Sequence, residues 1–202
     1  MPKVGIEPMR RSALVEATIY EIGRAGSLDV TVSQIAKKAG VSSALAHHYF
    51  GSKEQIFLAA MRHILTVFGA EVRGALMMAD TPRERIQAII KACFSPQNFR
   101  PEIVSAWLSF YVQAQNSQNA QRLLRIYQKR LISNLTYNLR PFAGAESLEL
   151  AHSIAALIDG LYIRQALRDE KADGNFCVKL VTTHVDNALN MLEENQHFPR
   201  GK

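Results

Sequence analysis

The chain has 202 residues, 48% of them hydrophobic, and a formal net charge of +6 at pH 7. This length suits one compact domain, or a small domain joined to a larger one, and the charge is compatible with an acidic partner without identifying one. Cys93 and Cys177 are far apart, which argues against a disulfide framework or a metal site. No apolar run approaches the roughly 20 residues that span a bilayer. These features predict a cytoplasmic protein without a membrane partner.

Apolar residues recur at helical spacing along the chain and alternating runs are nearly absent, so the pattern predicts an all-α fold. Capping residues, glycines and prolines divide it into nine helices. Their predicted ranges are 10–25, 32–39, 43–49, 53–78, 82–93, one beginning at 101, 119–139, 146–168 and 175–194. The segment from Pro141 to Gly144 is expected to break the chain between the seventh and eighth helices.

The stretch from Thr31 to Lys53 carries the strongest functional signal. Thr31 with Gln34 has the pattern of a capping box, and Gly40 supplies the positive φ of a turn. Two short helices joined through such a glycine make a helix-turn-helix. Its main alternative is a generic helical hairpin with a solvated face.

The third helix has small and polar residues where a buried helix would carry large apolar ones. With Val41, Leu45 and Phe50 turned inward, the outward face consists of Ser42, Ser43, Ala44, His47 and His48. Short side chains let a helix enter the major groove, where hydroxyls and imidazoles reach bases or phosphates. Lys53 begins the next helix, where its charge and free backbone N–H groups can bind a phosphate.

Two other functions of these residues are weaker. His47 and His48 are adjacent and point about 100° apart on a helix, so they do not chelate one metal ion easily. No nucleophile–base pair, glycine-rich phosphate loop or HExxH motif indicates an enzyme, and the lone histidines His152 and His184 are more typical of core or interface. We therefore predict no catalytic residues, no metal and no cofactor.

The segment resembles the DNA-binding domain of the tetracycline-repressor (TetR) family, through Thr31, Ile35-Ala36, Ala39-Gly40-Val41-Ser42, His48-Tyr49-Phe50 and Lys53. The resemblance implies a homodimer with an N-terminal three-helix reader, residues 1–52, and a C-terminal six-helix ligand-binding and dimerisation domain, residues 53–202. By position it implies DNA contacts at Thr31, Gln34, Ser42, Ser43, Ala44, His48, Tyr49 and Lys53. Many members carry an aromatic residue in place of His47. Gln34, Ser43 and His47 are our candidates for base contacts, and Tyr49 and Lys53 for phosphate contacts.

The eighth helix is apolar nearly all round from Ile154 to Ile163. A helix without a polar, solvent-exposed face must be covered on both sides. A partner subunit is the simplest cover, since a two-fold dimer also reads a palindromic operator; the alternative is a central helix within one subunit. The predicted dimer residues are Ala155, Ala156, Gly160, Leu180, Val181 and His184.

Large aromatic residues in the C-terminal half suggest a small-molecule pocket between helices. Aromatic faces hold a quaternary ammonium such as choline by cation–π attraction, and a carboxylate in an apolar stretch suits a bound cation. The candidates are Trp107, Phe110, Tyr111, Tyr127, Asp159 and Tyr162. Alternatively, the aromatics are core residues, and Asp159 pairs with Arg164 or caps a helix.

Four further segments resemble a choline-responsive branch of the TetR family that represses glycine betaine synthesis genes. They are the opening Met1-Pro-Lys with Pro8 and Arg10-Arg11, and the runs at residues 106–110, 130–135 and 156–167. This resemblance implies a repressor relieved by choline. A regulator of another ligand on the same fold, such as a multidrug efflux regulator, is the alternative. A helical enzyme is the least favoured.

Overall fold

A computed structural model describes residues 5–197, and within them the chain is all-α, as predicted, with no strand. Nine α-helices follow one another in this range. Their bounds are α1 Ile6–Ala25, α2 Val32–Lys38, α3 Ser43–Phe50, α4 Lys53–Met77, α5 Pro82–Cys93, α6 Pro101–Asn116, α7 Gln118–Ala143, α8 Ser147–Ala166 and α9 Gly174–His197. Short 3₁₀ turns lie at Pro96–Phe99 and Gly144–Glu146.

The predicted break at Pro141–Gly144 begins later than expected, because α7 continues through Pro141 to Ala143 and the break falls at Gly144. Pro141 is exposed and lies in the last turn of the helix. A proline there removes a single hydrogen bond close to a terminus, where the helix tolerates the loss better than in its middle.

The first compact unit comprises the described residues up to Val67 together with residues 100–125. In this unit α1 packs against both α2 and α6. At the α1–α6 crossing a Cβ built on Gly23 would lie 2.3 Å from the Cβ of Glu102, so only glycine permits this close approach. Leu14, Ile22 and Ile35 are almost completely buried in its core.

The second compact unit comprises residues 68–99 and the described residues from Ile126 onward. In it α9 packs against α5 and α8. Arg83 on α5 and Asp186 on α9 form an ion pair of 2.5 Å. The boundary between the units lies within α4 and within α7, whereas the predicted domain boundary at residues 52–53 lies at the start of α4; that boundary stays a prediction.

α4 is long and apolar enough, by length and composition alone, to cross a membrane, contrary to our expectation that no segment comes close. Its most apolar window is 44% buried within the fold. Ile56, Leu58 and Met61 are among the most deeply buried side chains, and a core helix of a folded domain has the same composition.

Candidate nucleic-acid interface

The capping box at the start of α2 is confirmed. Thr31 Oγ1 accepts a hydrogen bond of 3.1 Å from Gln34 N, and Gln34 Oε1 accepts bonds of 2.7 and 2.9 Å from Thr31 N and Thr31 Oγ1. These bonds satisfy backbone donors that every helix start leaves unpaired. They also orient the exposed Gln34 side chain, with its amide nitrogen as the group left to donate to a base.

The turn between α2 and α3 has the conformation that its glycine predicts. Gly40 has a φ of 69°, a value that favours glycine because it has no Cβ. Val41 N then donates to Ala36 O at 3.0 Å. Ala36 is 1% exposed, and its small side chain lets α3 pack close to α2.

Two serine hydroxyls fix the start of α3. Ser42 Oγ accepts from Leu45 N at 3.2 Å, which confirms Ser42 as the N-cap. Ser43 Oγ is hydrogen-bonded to Ser33 Oγ of α2 at 3.1 Å. The two helices are therefore joined by side chains at the end that a recognition helix presents to base edges.

α3 has the outward face that its sequence predicts. Ser42, Ala44, His47 and His48 are exposed, and Ser43 and Tyr49 are half-buried. On the inner side the predicted residues Val41, Leu45 and Phe50 are only half-buried, whereas Ala46 is completely buried. Sequence reasoning missed Ala46 as the inner contact, because its small side chain resembled those of the outer face.

Arg11 of α1 holds the other end of α3. Its Nη1 donates to Tyr49 O at 2.7 Å, and its guanidinium lies 5.0 Å from the Tyr49 ring centroid and 5.3 Å from that of Phe50. Its Nε also donates to Glu7 at 2.8 Å. A cation at a helix C-terminus satisfies a free carbonyl and complements the helix dipole. Sequence reasoning did not predict this contact of Arg11, since no local motif links it to a residue 38 positions away.

Lys53 is exposed in the first turn of α4 and makes no ion pair within the described part of the chain. Ser52 Oγ accepts from Gln55 N at 3.3 Å, so a serine cap stands directly before it. The neighbouring Glu54 accepts from Ser117 Oγ at 2.6 Å. Lys53 thus combines an exposed charge with a helix N-terminus, a combination that suits a phosphate.

The predicted ligand residues divide between the two compact units. In the first unit, Trp107 lies 5.9 Å from Phe110 and 5.8 Å from Tyr111, measured between ring centroids. Phe110 is 0% exposed and also contacts Phe57 at 6.4 Å. These three residues pack on one another as core aromatics do, which is the alternative that the sequence left open.

In the second unit, Tyr127 contacts Phe68 at 5.9 Å. Tyr162 stacks on Phe99 at 5.2 Å, and its hydroxyl donates to Asn98 O at 2.7 Å. Sequence reasoning did not single out Phe99, because it lies in a segment predicted to be an irregular loop.

Asp159 lies on α8 one turn before Tyr162. Burial raises the pKa of its carboxyl group to about 6, since a low-dielectric surrounding disfavours the charged form. Among residues 5–197 the carboxylate forms no ion pair with Arg164, and Asp159 lies inside α8 rather than at a helix start. Burial, and next the charge of Asp159, raise the pKa of Cys93 to about 12, which makes its thiol inert.

The predicted dimer residues are mostly accessible on α8 and α9. Ala156 and Gly160 are exposed, and a Cβ on Gly160 would meet no atom within 4 Å. Leu180 is 40% exposed, whereas Val181 is completely buried within its own unit. The structure therefore removes Val181 from the accessible face. Ala155 and His184 are half-buried, and His184 Nε2 is hydrogen-bonded to Ser153 Oγ at 3.0 Å.

The exposed polar helix, fixed at both ends within a helix-turn-helix, defines the class of this protein as a DNA-binding regulator. Residues 14–60 match the family of bacterial regulatory proteins of the tetR family, and residues 82–190 match the C-terminal domain of BetI-type transcriptional repressors. The HTH-type transcriptional regulator BetI of Brucella melitensis is 50% identical over 186 residues, which cover 92% of this chain and 94% of that protein. The chain therefore belongs to the TetR family of transcriptional regulators, in its BetI-type branch.

Solved structures show the same fold at lower identity. A transcriptional regulator from Pseudomonas aeruginosa superposes with a TM-score of 0.80 at 24% identity, over 91% of this chain and 92% of that one. A regulator from Saccharomonospora viridis, solved in complex with choline, superposes with a TM-score of 0.78 at 23% identity, over 87% and 95%.

Proposed function

We propose that this chain is a cytoplasmic, homodimeric repressor that binds a palindromic operator and releases it when choline binds. Its targets are glycine betaine synthesis genes. The observation that carries the proposal is the 50% identity to BetI along 92% of the chain, because it includes the reader and the C-terminal domain together.

The reader binds DNA through three kinds of contact. Gln34, Ser43 and His47 supply polar groups toward base edges, and the small exposed Ala44 lets the helix approach the major groove. Tyr49 and Lys53 contact phosphates, while Thr31, Ser42 and His48 line the rim of the same surface. Because Thr31, Gln34 and Ser42 already make capping bonds, they present fixed rather than rotating groups to DNA.

The dimer forms through α8 and α9. Ala156, Gly160 and Leu180 are accessible on these helices, and small residues let two helices approach closely. Further apolar side chains are exposed on the same two helices at Leu148, Phe176 and Met191, and directly after α8 at Leu167. Apolar surface of this kind marks an interaction site, and a symmetric partner covers it with the same surface.

The effector site is centred on Asp159. Burial disfavours the charged form of this half-buried carboxylate, which forms no ion pair among the described residues, and a bound cation offsets that cost. Choline supplies such a cation, and the fold of a choline-bound regulator is shared by this chain. Binding shifts the operator equilibrium only if the DNA-free conformer binds choline more tightly than the DNA-bound one.

Selection of operators from random DNA, performed with and without choline, tests the proposal. We expect a palindromic sequence whose half-sites lie about one helical turn apart, and loss of binding on addition of choline. Two compounds serve as controls. Glycine betaine keeps the trimethylammonium group but adds a carboxylate, and an uncharged alcohol of similar size keeps the shape of choline without its charge. If no sequence is selected, the proposed operator binding is contradicted. If an operator is selected but choline does not change its binding, the proposed response to choline is contradicted.

A further inference from the structure

The recognition helix α3 ends in a turn that holds the ring of His47. Gly51 N donates to His47 O at 2.7 Å, and His47 Nδ1 lies 3.0 Å from Gly51 O. Ser52 N donates to Phe50 O at 3.0 Å, and Gly51 has φ 78° and ψ −62°. These angles and this bond describe a γ-turn of the positive-φ kind. Glycine adopts this conformation without strain because it has no Cβ, whereas any other residue would be strained there.

This turn fixes which nitrogen of His47 carries the proton. A backbone carbonyl can only accept, so the bond to Gly51 O requires hydrogen on Nδ1. In the neutral imidazole Nε2 is then an acceptor. The ring is exposed on the outward face of α3, and Ala44, one turn earlier on that face, is too short to cover it. α3 therefore presents one acceptor atom in a fixed place.

We propose that His47 is a specificity-determining residue that accepts, through Nε2, a hydrogen bond from the exocyclic amino group of adenine or cytosine, and that Gly51 positions it. The proposal rests on the DNA-binding function proposed above. In the major groove only adenine N6 and cytosine N4 present donors, whereas guanine O6 and thymine O4 present acceptors. An acceptor at this position therefore favours amino bases and disfavours keto bases.

The tautomer is tested directly by long-range ¹H–¹⁵N correlation spectra of the histidine rings in the DNA-free protein at neutral pH. His47→Phe assigns the signals by their loss. We expect the pattern of a ring protonated at Nδ1. A ring protonated at Nε2 overturns the proposal.

The base preference is tested by operator selection with the wild type and with His47→Phe, which keeps a planar ring but has no acceptor. One position in each half-site should show an adenine or cytosine preference that the variant loses by about tenfold. Replacing the base there with purine or pyrimidin-2-one, which lack the amino group, should weaken wild-type binding about tenfold and leave His47→Phe binding within about twofold. His63→Phe, an exposed histidine of α4, is the matched control and should keep the preference.

Gly51→Ala tests the positioning role. A side chain at this φ strains the turn and releases the ring, so the variant should lose the preference at the same base position. Its dependence of binding on salt should stay unchanged, because the phosphate contacts remain. A guanine or thymine preference at the position that depends on His47, or a preference that survives His47→Phe, overturns the proposal. If the wild type selects no operator at all, the proposed function fails instead.

Discussion

The helix-turn-helix and the second compact unit differ in how far their polar side chains are paired within the chain. At the ends of α2 and α3, Gln34, Ser42, Ser43 and His47 are each paired within a few residues or across one turn. In the second unit, Asp159 is half-buried and forms no ion pair among the described residues, and burial raises the pKa of its carboxyl group. The proposed DNA-binding surface satisfies its polar groups without a partner, whereas at the proposed cation site burial disfavours the charge of Asp159 until a cation binds.

The largest effect is expected from Gly160→Arg, which tests whether the accessible face of α8 is an interface. The space around Gly160 is open within the chain, so the arginine fits in the monomer and blocks only a partner. The dimer should be lost with the helical content intact, and operator affinity should fall by about 10²- to 10⁴-fold, as two linked half-sites become one.

Light scattering after size-exclusion chromatography measures the dimer, and circular dichroism measures the helical content. Gly74→Arg is the matched control, since Gly74 also lies in a helix with open space around it. A dimer that survives Gly160→Arg places the interface elsewhere.

Phe110→Ala decides whether the aromatics of the first unit are core or ligand residues. Phe110 is completely buried, so the substitution should lower the free energy of unfolding by about 3–5 kcal/mol. Urea denaturation measures this loss. Val112→Ala on the same helix, at a position 62% exposed, should change it by less than about 0.5 kcal/mol. Unchanged stability with weaker choline binding would restore Phe110 as a ligand residue.

Much of the reader was predictable from the sequence because its geometry is local. Thr31 and Gln34 are three residues apart, so the capping box can be read from the sequence. The turn at Gly40 depends only on the backbone freedom of that glycine, so it can be read from the sequence as well. The contact between Arg11 and Tyr49 was not predicted, because the two residues are 38 positions apart in the sequence. The effector region was harder still, since the helical spacing of aromatic residues is the same for a core and for a pocket, and only burial distinguishes Phe110 from a lining residue.

Asp159→Asn tests the buried charge through pH. The pKa of this carboxyl group is raised from its usual 3.8 to about 6 in the folded state, so the folded chain binds a proton more tightly than the unfolded one. The resulting stability is complete below about pH 4 and is lost as pH rises through 6, by on the order of 3 kcal/mol. The variant should lack this loss and be more stable than the wild type at pH 7.

Choline should bind the wild type less tightly as pH falls through 6, because the carboxylate that attracts it becomes neutral. Asp159→Asn should bind choline weakly at every pH, whereas Glu149→Gln, an exposed site on the same helix, should behave as the wild type in both measurements. Calorimetric titrations at pH 5 and pH 7 distinguish these outcomes. Equal affinity of Asp159→Asn and the wild type would remove Asp159 from the effector site.

The smallest effect is expected from Lys53→Ala, which changes one exposed charge in the reader and nothing in the second unit. Each phosphate contact adds about 0.9 to the slope of log affinity against log salt concentration, so the variant dimer should lose about two units of slope along with operator affinity. Lys91→Ala removes an exposed charge of the second unit and should leave the slope unchanged. Because the slope counts phosphates rather than bases, it should also be the same in His47→Phe. Lower affinity of Lys53→Ala at an unchanged slope would mean that this lysine acts on DNA through the fold of α4, not through its charge.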